Sequence, residues 1–170
     1  MNEQTSTDEQ FMQQALALAD EAERQGEVPV GALLVHQGTV IGRGFNQVIT
    51  QLDPSAHAEM LAIRDAARYL QNYRILDTTL YVTLEPCPMC AGALVHARVK
   101  RLVYGASDPR TGACGSVFNV VADTRLNHQL EVVAGVLGSQ CGERLSAFFR
   151  QRRAAQKALK KAAQNFQSPS

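Results

Sequence analysis

No run of apolar residues in this sequence is long enough to cross a bilayer. The longest clearly apolar stretches, such as Val30 to Val35, fall far short of the ~20 residues a spanning helix needs. The opening MNEQTSTDEQ has neither a basic segment nor an apolar one. It is therefore not read as a secretory signal, and a cytoplasmic protein with no membrane association is expected. Cysteine is scarce as well. Four in a chain of 170 residues do not make a disulfide framework. Internal repeats and low-complexity linkers are absent, so the length suits one domain around one core, spanning about 7–153. Apolar residues are plentiful at 45%, which together with a net charge of +1 excludes a disordered chain.

That small net charge hides an uneven distribution. Glu3, Asp8, Glu9, Asp20, Glu21, Glu23 and Glu27 face a single base, Arg24, in the first 27 residues. From Arg144 onward there are seven bases and no acid. A basic C-terminal segment can meet a polyanion or can be a solvated helix face, and charge alone does not decide.

Periodicity supplies the elements. A helix is expected from Thr7 to before Gly26, opened by the capping-box pattern Ser6-x-x-Glu9, with Phe11, Ala15, Leu18 and Ala22 on its apolar stripe. Val28 to Val35 and Thr39 to Phe45 read as strands joined by a turn at Gln37-Gly38. Ser55 is a suitable N-cap for a helix reaching Leu70, with Met60, Leu61, Ile63 and Ala67 buried. A strand follows at 79–84, then a helix from Pro88 to Ala97 and a strand at 99–104. The segment 105–115 reads as a long loop. A short strand at 130–136 and a last helix from Cys141 to Ala163 complete the chain, with a frayed tail to Ser170. Strands alternating with helices after an opening hairpin imply an α/β sandwich.

Chemistry concentrates in His57-Ala58-Glu59 and Pro86-Cys87-Pro88-Met89-Cys90. Zinc is bound by thiolate sulfur and imidazole nitrogen, and two cysteines three residues apart at a helix start can reach one ion. A lone Cys-x-x-Cys also suits redox and structural zinc sites, and its place after a strand fits a thioredoxin-like reading. His57-x-Glu59 tips the balance towards metal catalysis. A structural site would need a fourth protein donor. His96 lies about 240° round the helix from Cys90, off the metal face. His36 and His128 have no ligand-like spacing to the cysteines. One histidine and two cysteines leave a corner for water. Glu59 is two residues from His57, which on a regular helix means opposite directions, so spacing alone does not bring it to the ion. Cys114 and Cys141 read as buried thiols.

These residues resemble the signature of the zinc nucleoside and nucleobase deaminases, in which a His-x-Glu and a Pro-Cys-x-x-Cys serve one ion. Within that superfamily the chain is similar to the bacterial tRNA-specific adenosine deaminases from about Phe11 to Arg153. The likeness includes Asn72-Tyr73-Arg74, Thr111-Gly112-Ala113 and Phe148-Phe149-Arg150. The resemblance implies a cytidine deaminase-like, three-layer α/β/α sandwich with a mixed five-stranded sheet, and one Zn2+ on His57, Cys87 and Cys90. It implies that Glu59 shuttles protons while a metal-activated water replaces the amine at C6 of adenine, yielding inosine at the wobble position. It further implies a homodimer acting on the anticodon arm of a tRNA, usually an arginine tRNA. Asn46 is implied to hydrogen-bond the base, with Val30 and Leu84 walling the pocket. Asp108, Phe149, Arg150 and Arg152 are implied to contact the anticodon loop. On position alone Asn46 reads as a turn residue after a strand, while Val30 and Leu84 also suit plain core and Phe149 a buried helix residue. A deaminase for a free base or nucleoside, and a non-catalytic zinc module that binds RNA, share parts of this pattern.

Overall fold

In a computed structural model of the protein, residues 3–166 are described, and their order is α1 (Glu3–Arg24), β1 (Gly31–His36), β2 (Thr39–Phe45), α2 (Ala58–Leu70), β3 (Thr78–Leu84), α3 (Pro88–His96), β4 (Arg101–Ala106), β5 (Glu131–Ala134) and α4 (Gly138–Phe166). The strands form one sheet in the order β2-β1-β3-β4-β5. β1 pairs antiparallel with both β2 and β3, whereas β3, β4 and β5 run parallel. The sheet is therefore mixed, as the sequence implies. Parallel strands need a crossover, and α3 supplies the one between β3 and β4.

Strand side chains alternate between two faces, and each face has its own helices. Ala32, Leu34, Leu80, Val82, Leu102 and Tyr104 pack with Ala58, Ala62 and Ala66 of α2 and Ala91 and Leu94 of α3. Leu33, Val35, Tyr81 and Val103 pack with Met12, Ala15 and Leu16 of α1 and Cys141 of α4. The result is three layers, helices over sheet over helices.

Helix α2 approaches the sheet more closely than its large apolar residues suggest. Its buried stripe is Ala58, Glu59, Ala62 and Ala66, while Met60, Leu61, Ile63 and Ala67 are half-buried. The reason lies on β2. A Cβ at Gly42 would land on the Ala62 carbonyl oxygen, and one at Gly44 on that of Ala58. Glycine facing alanine lets backbone meet backbone, and this fixes where α2 begins.

Several boundaries differ from the sequence expectation. α1 starts at Glu3, so Ser6 lies inside it and the capping box is unused; Thr7 Oγ1 instead donates to the Glu3 carbonyl at 3.0 Å. Its buried stripe centres on Met12, Leu16 and Ala19, with Phe11 and Leu18 at the margin. β1 begins at Gly31 because Pro29 has no N–H to give a ladder, and a tight Val30-to-Val28 turn (2.8 Å) precedes it. The hairpin turn is as expected, with positive φ at Gln37 (50°) and Gly38 (77°). β4 starts two residues late and extends to Ala106, so Gly105 belongs to a strand. α4 starts at Gly138 and continues to Phe166; residues 167–170 of the expected tail lie outside the described residues.

Asp8 on α1, only 3% exposed, ties its helix to the sheet. Arg101 donates to both its carboxylate oxygens at 2.8 Å, and the Tyr81 hydroxyl donates at 2.8 Å. Burial pushes the Asp8 carboxyl up, but the bonds from Arg101, Tyr81 and Gln4 outweigh it, and its pKa is lowered. A carboxylate whose folded pKa is depressed adds stability above its unfolded value, near 3.9, and loses it as pH falls through the folded value. Asp8→Asn is expected to cost about 3 kcal/mol at pH 7, or somewhat less because Arg101 keeps some solvent contact. In urea unfolding across pH, the gap between wild type and variant should shrink below about pH 4. A gap independent of pH would remove the ionic part of this account.

Candidate active site

The site forms where two helix N-termini meet. His57 is the N-cap of α2, with extended backbone at φ −73° and ψ 153°. Ser55 was the expected cap, but both its N–H and its hydroxyl donate to Asp53 Oδ1, at 2.8 and 2.7 Å. That local turn postpones the helix to Ala58. The Ala58 N–H then donates to Asn46 Oδ1 at 2.9 Å, so the helix start is capped from the end of β2. Cys87 is the N-cap of α3, with Pro88 at the first helical position and Cys90 in the first turn.

The three donors converge. His57 Nδ1 lies 3.6 Å from Cys87 Sγ and 3.5 Å from Cys90 Sγ. All three atoms fall within 4.8 Å of one another. A tetrahedral zinc with Zn–S near 2.3 Å and Zn–N near 2.0–2.1 Å places nitrogen and sulfur about 3.5–3.6 Å apart. The residues present therefore fit zinc, in chemistry and in spacing. No fourth histidine, cysteine or carboxylate joins the group among the described residues.

The proton inventory agrees with a metal site. Without an ion, the hydrogen bond from Cys90 outweighs burial and takes the Cys87 thiol down to about 4. That same bond, with burial, pushes Cys90 up. His57 is raised chiefly by its contact with Cys87. The trio thus favours a thiolate at Cys87 beside a His57 that is more readily protonated than usual, both at the positive ends of helices. A metal displaces the shared protons.

Glu59 belongs to the same site. It is the second residue of α2, 4% exposed, with a side-chain hydrogen bond to Cys90. The helical-spacing argument fails for it because His57 is not in the helix. An extended N-cap turns the imidazole back across the helix start, so residues 57 and 59 reach one point. Burial raises the Glu59 pKa above the ordinary carboxylate value, against its bonds to its own backbone N–H and to Cys90. A buried carboxyl with a raised pKa is suited to taking and returning a proton near neutral pH.

Two buried carboxylates that the sequence reading passed over hold the loops around the site. Glu85, 2% exposed, accepts from Cys114 N and Ser116 N at 3.3 Å and from Ser116 Oγ at 2.5 Å. It fastens segment 112–116 beside the metal-binding turn, and a Cβ at Gly112 would strike its carboxylate. Glu27, fully buried, accepts from Ile49 N, Thr50 N and Thr50 Oγ1 at 3.1, 2.8 and 2.7 Å. It holds the loop after Asn46. An isolated Glu after a helix or strand carries no periodic signal, so only its nearness to a Gly- and Thr-containing loop could have marked it.

The other predicted residues divide by location. Asn46 sits at the start of α2, and its N–H donates to the Val30 carbonyl at 3.1 Å, which places Val30 beside it. Val30 is 4% exposed and packs in the core. A cleft of about 710 Å3 opens at the exit of β3, lined by Leu84, Asp108, Thr111, Phe149, Arg150 and Arg153 among others. The zinc donors and Glu59 do not line it; β3 links the two, running from Leu84 through Pro86 into Cys87. The Asp108 carboxylate is engaged within its own loop, accepting from Arg110 N and Thr111 Oγ1 at 2.9 Å. Arg152 is elsewhere, its guanidinium 5.6 Å from the Phe148 ring centre. Arg153, which was not among the implied contacts, lines the cleft.

Residues 5–106 match the family described as the cytidine and deoxycytidylate deaminase zinc-binding region, which sets the class as a zinc-binding deaminase. The chain is 56% identical over 151 residues to the tRNA-specific adenosine deaminase of Haemophilus influenzae, covering 88% of this chain and 87% of that one. It is 51% identical over 154 residues to the enzyme of the same name from Bacillus subtilis, covering 91% and 96%. A solved structure from studies of A-to-I editing by tRNA:A34 deaminases superimposes with a TM-score of 0.78 at 43% identity, covering 80% of this chain and 99% of that one. The protein belongs to the family of tRNA-specific adenosine deaminases.

Cys90→Ala is expected to drop zinc from about one ion per chain to near zero after brief dialysis against a chelator. Elemental analysis by plasma mass spectrometry reads this directly. Full retention of zinc would mean that the ion is held elsewhere.

Proposed function

We propose that this chain converts adenosine to inosine at the wobble position of a tRNA, with Glu59 as its proton carrier. The observation that carries the reading is a buried carboxyl with a raised pKa beside His57, Cys87 and Cys90, in a member of this family. Zinc on these donors supplies a water acidic near pH 7. Glu59 would take a proton from the water and pass it to ring N1 as the oxygen bonds C6, then take the proton of the new hydroxyl and give it to the amine as the C6–N6 bond breaks and ammonia leaves. One carboxyl serves both steps because it neither charges too easily nor holds its proton too tightly.

The base must leave its stack to reach a buried carboxyl. The Asn46 side-chain oxygen is engaged by Ala58, which leaves its amide N–H groups to meet the base's acceptors. Val30 and Leu84 give apolar walls. The cleft with Phe149, Arg150 and Arg153 suits flanking nucleotides, stacking on one and pairing with phosphate through the others. Asp108, in its turn, and Arg152, beside Phe148, are the further contacts to the anticodon loop in this reading.

Further parts of the reading rest on the family. An arginine tRNA is the substrate it implies, in the cytoplasm, with the whole chain acting as one deaminase domain. A homodimer is supported by apolar side chains exposed on loops near the site, including Leu52 at 90%, Phe118 at 54% and Val117 at 47%. No helix among the described residues is long and apolar enough to cross a membrane.

Glu59→Gln should lower turnover on an anticodon stem-loop by about 10²–10⁴-fold with zinc content and thermal midpoint kept. A wild-type rate for that variant would end the proton-carrier role. The same assay on free adenosine, cytidine and guanine separates the alternatives. Turnover confined to free nucleosides or bases would replace the tRNA assignment, and no turnover by zinc-loaded wild type on any substrate would leave a binding module.

A further inference from the structure

The last helix outgrows the body it packs on. Among its described residues, only Cys141 and Phe148 of α4 are buried, and every residue from Phe149 to Phe166 is exposed. An exposed helical extension of this length makes no packing contribution, so its surface chemistry must account for it.

That surface is sorted by charge. At 100° per residue, Arg150, Arg153, Lys157, Lys160 and Lys161 fall within an arc of about 100°. Leu159 and Phe166, at 71% and 97% exposure, lie on the opposite side. No acid occurs after Glu143, and among the described residues Lys157, Lys160 and Lys161 form no ion pair. The first two members of the stripe, Arg150 and Arg153, line the cleft at the exit of β3. The lysines therefore continue a cationic line that begins at the cleft and ends about 16 Å further along the helix.

We propose that Lys157, Lys160 and Lys161 form a second RNA-binding surface that contacts the sugar–phosphate backbone of the tRNA beyond the anticodon loop. This rests on the tRNA reading given above. Charge complementarity and continuity with the cleft select the partner. Magnitude selects the mode. The far end of the stripe is about two Debye lengths from the cleft at physiological salt, where the screening length is about 8 Å. Lys160 and Lys161, about 10–12 Å beyond Arg153, therefore add little field at a short substrate, and Lys157, about 6 Å beyond it, adds a screened fraction. They act chiefly on an RNA long enough to reach them, through direct phosphate contact and counterion release.

The test is the triple variant Lys157→Ala/Lys160→Ala/Lys161→Ala, whose changes are all on exposed helix surface and favour helix. Binding of full-length tRNA and of a hairpin cut to the anticodon loop and a minimal stem is measured across salt, with deamination of both. The slope of log affinity against log salt should fall by about two to three for the tRNA and stay nearly unchanged for the hairpin. On the tRNA, KM should rise at least tenfold at low salt with kcat kept; on the hairpin neither should move much. Equal slopes for variant and wild type would make the stripe a solvated face. Unchanged tRNA slopes with lost binding to phosphatidylserine vesicles would make it a membrane contact and overturn the proposal. Wild type that deaminates neither RNA would instead fail the tRNA reading itself.

Discussion

Two helices aimed nose to nose at one point are the constraint on which the rest of this structure depends. α2 and α3 each begin at an extended residue, His57 and Cys87, and neither starting residue is capped by its own side chain. Both side chains are thereby free to face inwards. The positive helix ends favour thiolate there, each by roughly 0.3–1 kcal/mol. That is small beside the 10–16 kcal/mol that structural zinc sites draw from the ion. The helix ends set position and protonation, and the metal supplies the binding energy. Glycine at 42 and 44 seats α2 at its depth, and Asn46 fixes its first turn.

Around that point the buried charges are divided by task. Glu27 and Glu85 accept several hydrogen bonds and hold loops, Asp8 is bonded to Arg101 and joins layers, and Glu59 is the one whose burial outweighs its bonds and raises its pKa. The donors around Glu27 hold its pKa down, which suits an anchor and not a proton carrier. A carboxyl left in a buried, weakly bonded place can shuttle protons. The separation of structural from chemical carboxylates follows from how far hydrogen bonds offset burial at each.

Much of this was legible in the residues. Runs rich in β-branched and apolar residues marked the strands, Gln37-Gly38 marked the hairpin, and His57, Cys87 and Cys90 marked the metal site. What escaped has definite physical causes. The α2 stripe was misassigned because alanine against glycine buries little side chain and gives a weak pattern. Ser55 attracted the cap assignment because the pull of Asp53 on it is a local turn invisible to helix periodicity. Glu59 seemed misdirected because the spacing rule assumes that both residues are helical. Glu27 and Glu85 left no trace because their partners are backbone N–H groups 22 to 31 residues distant in sequence.

The central claim is an ion with three protein donors and one position left for water. X-ray absorption at the zinc edge of the purified protein tests it most directly. The account predicts two sulfurs near 2.3 Å and two lighter donors near 2.0–2.1 Å, one of them the imidazole of His57. A third sulfur in that shell would contradict it, because a buried thiol such as Cys114 would then close the corner where the reaction must take place.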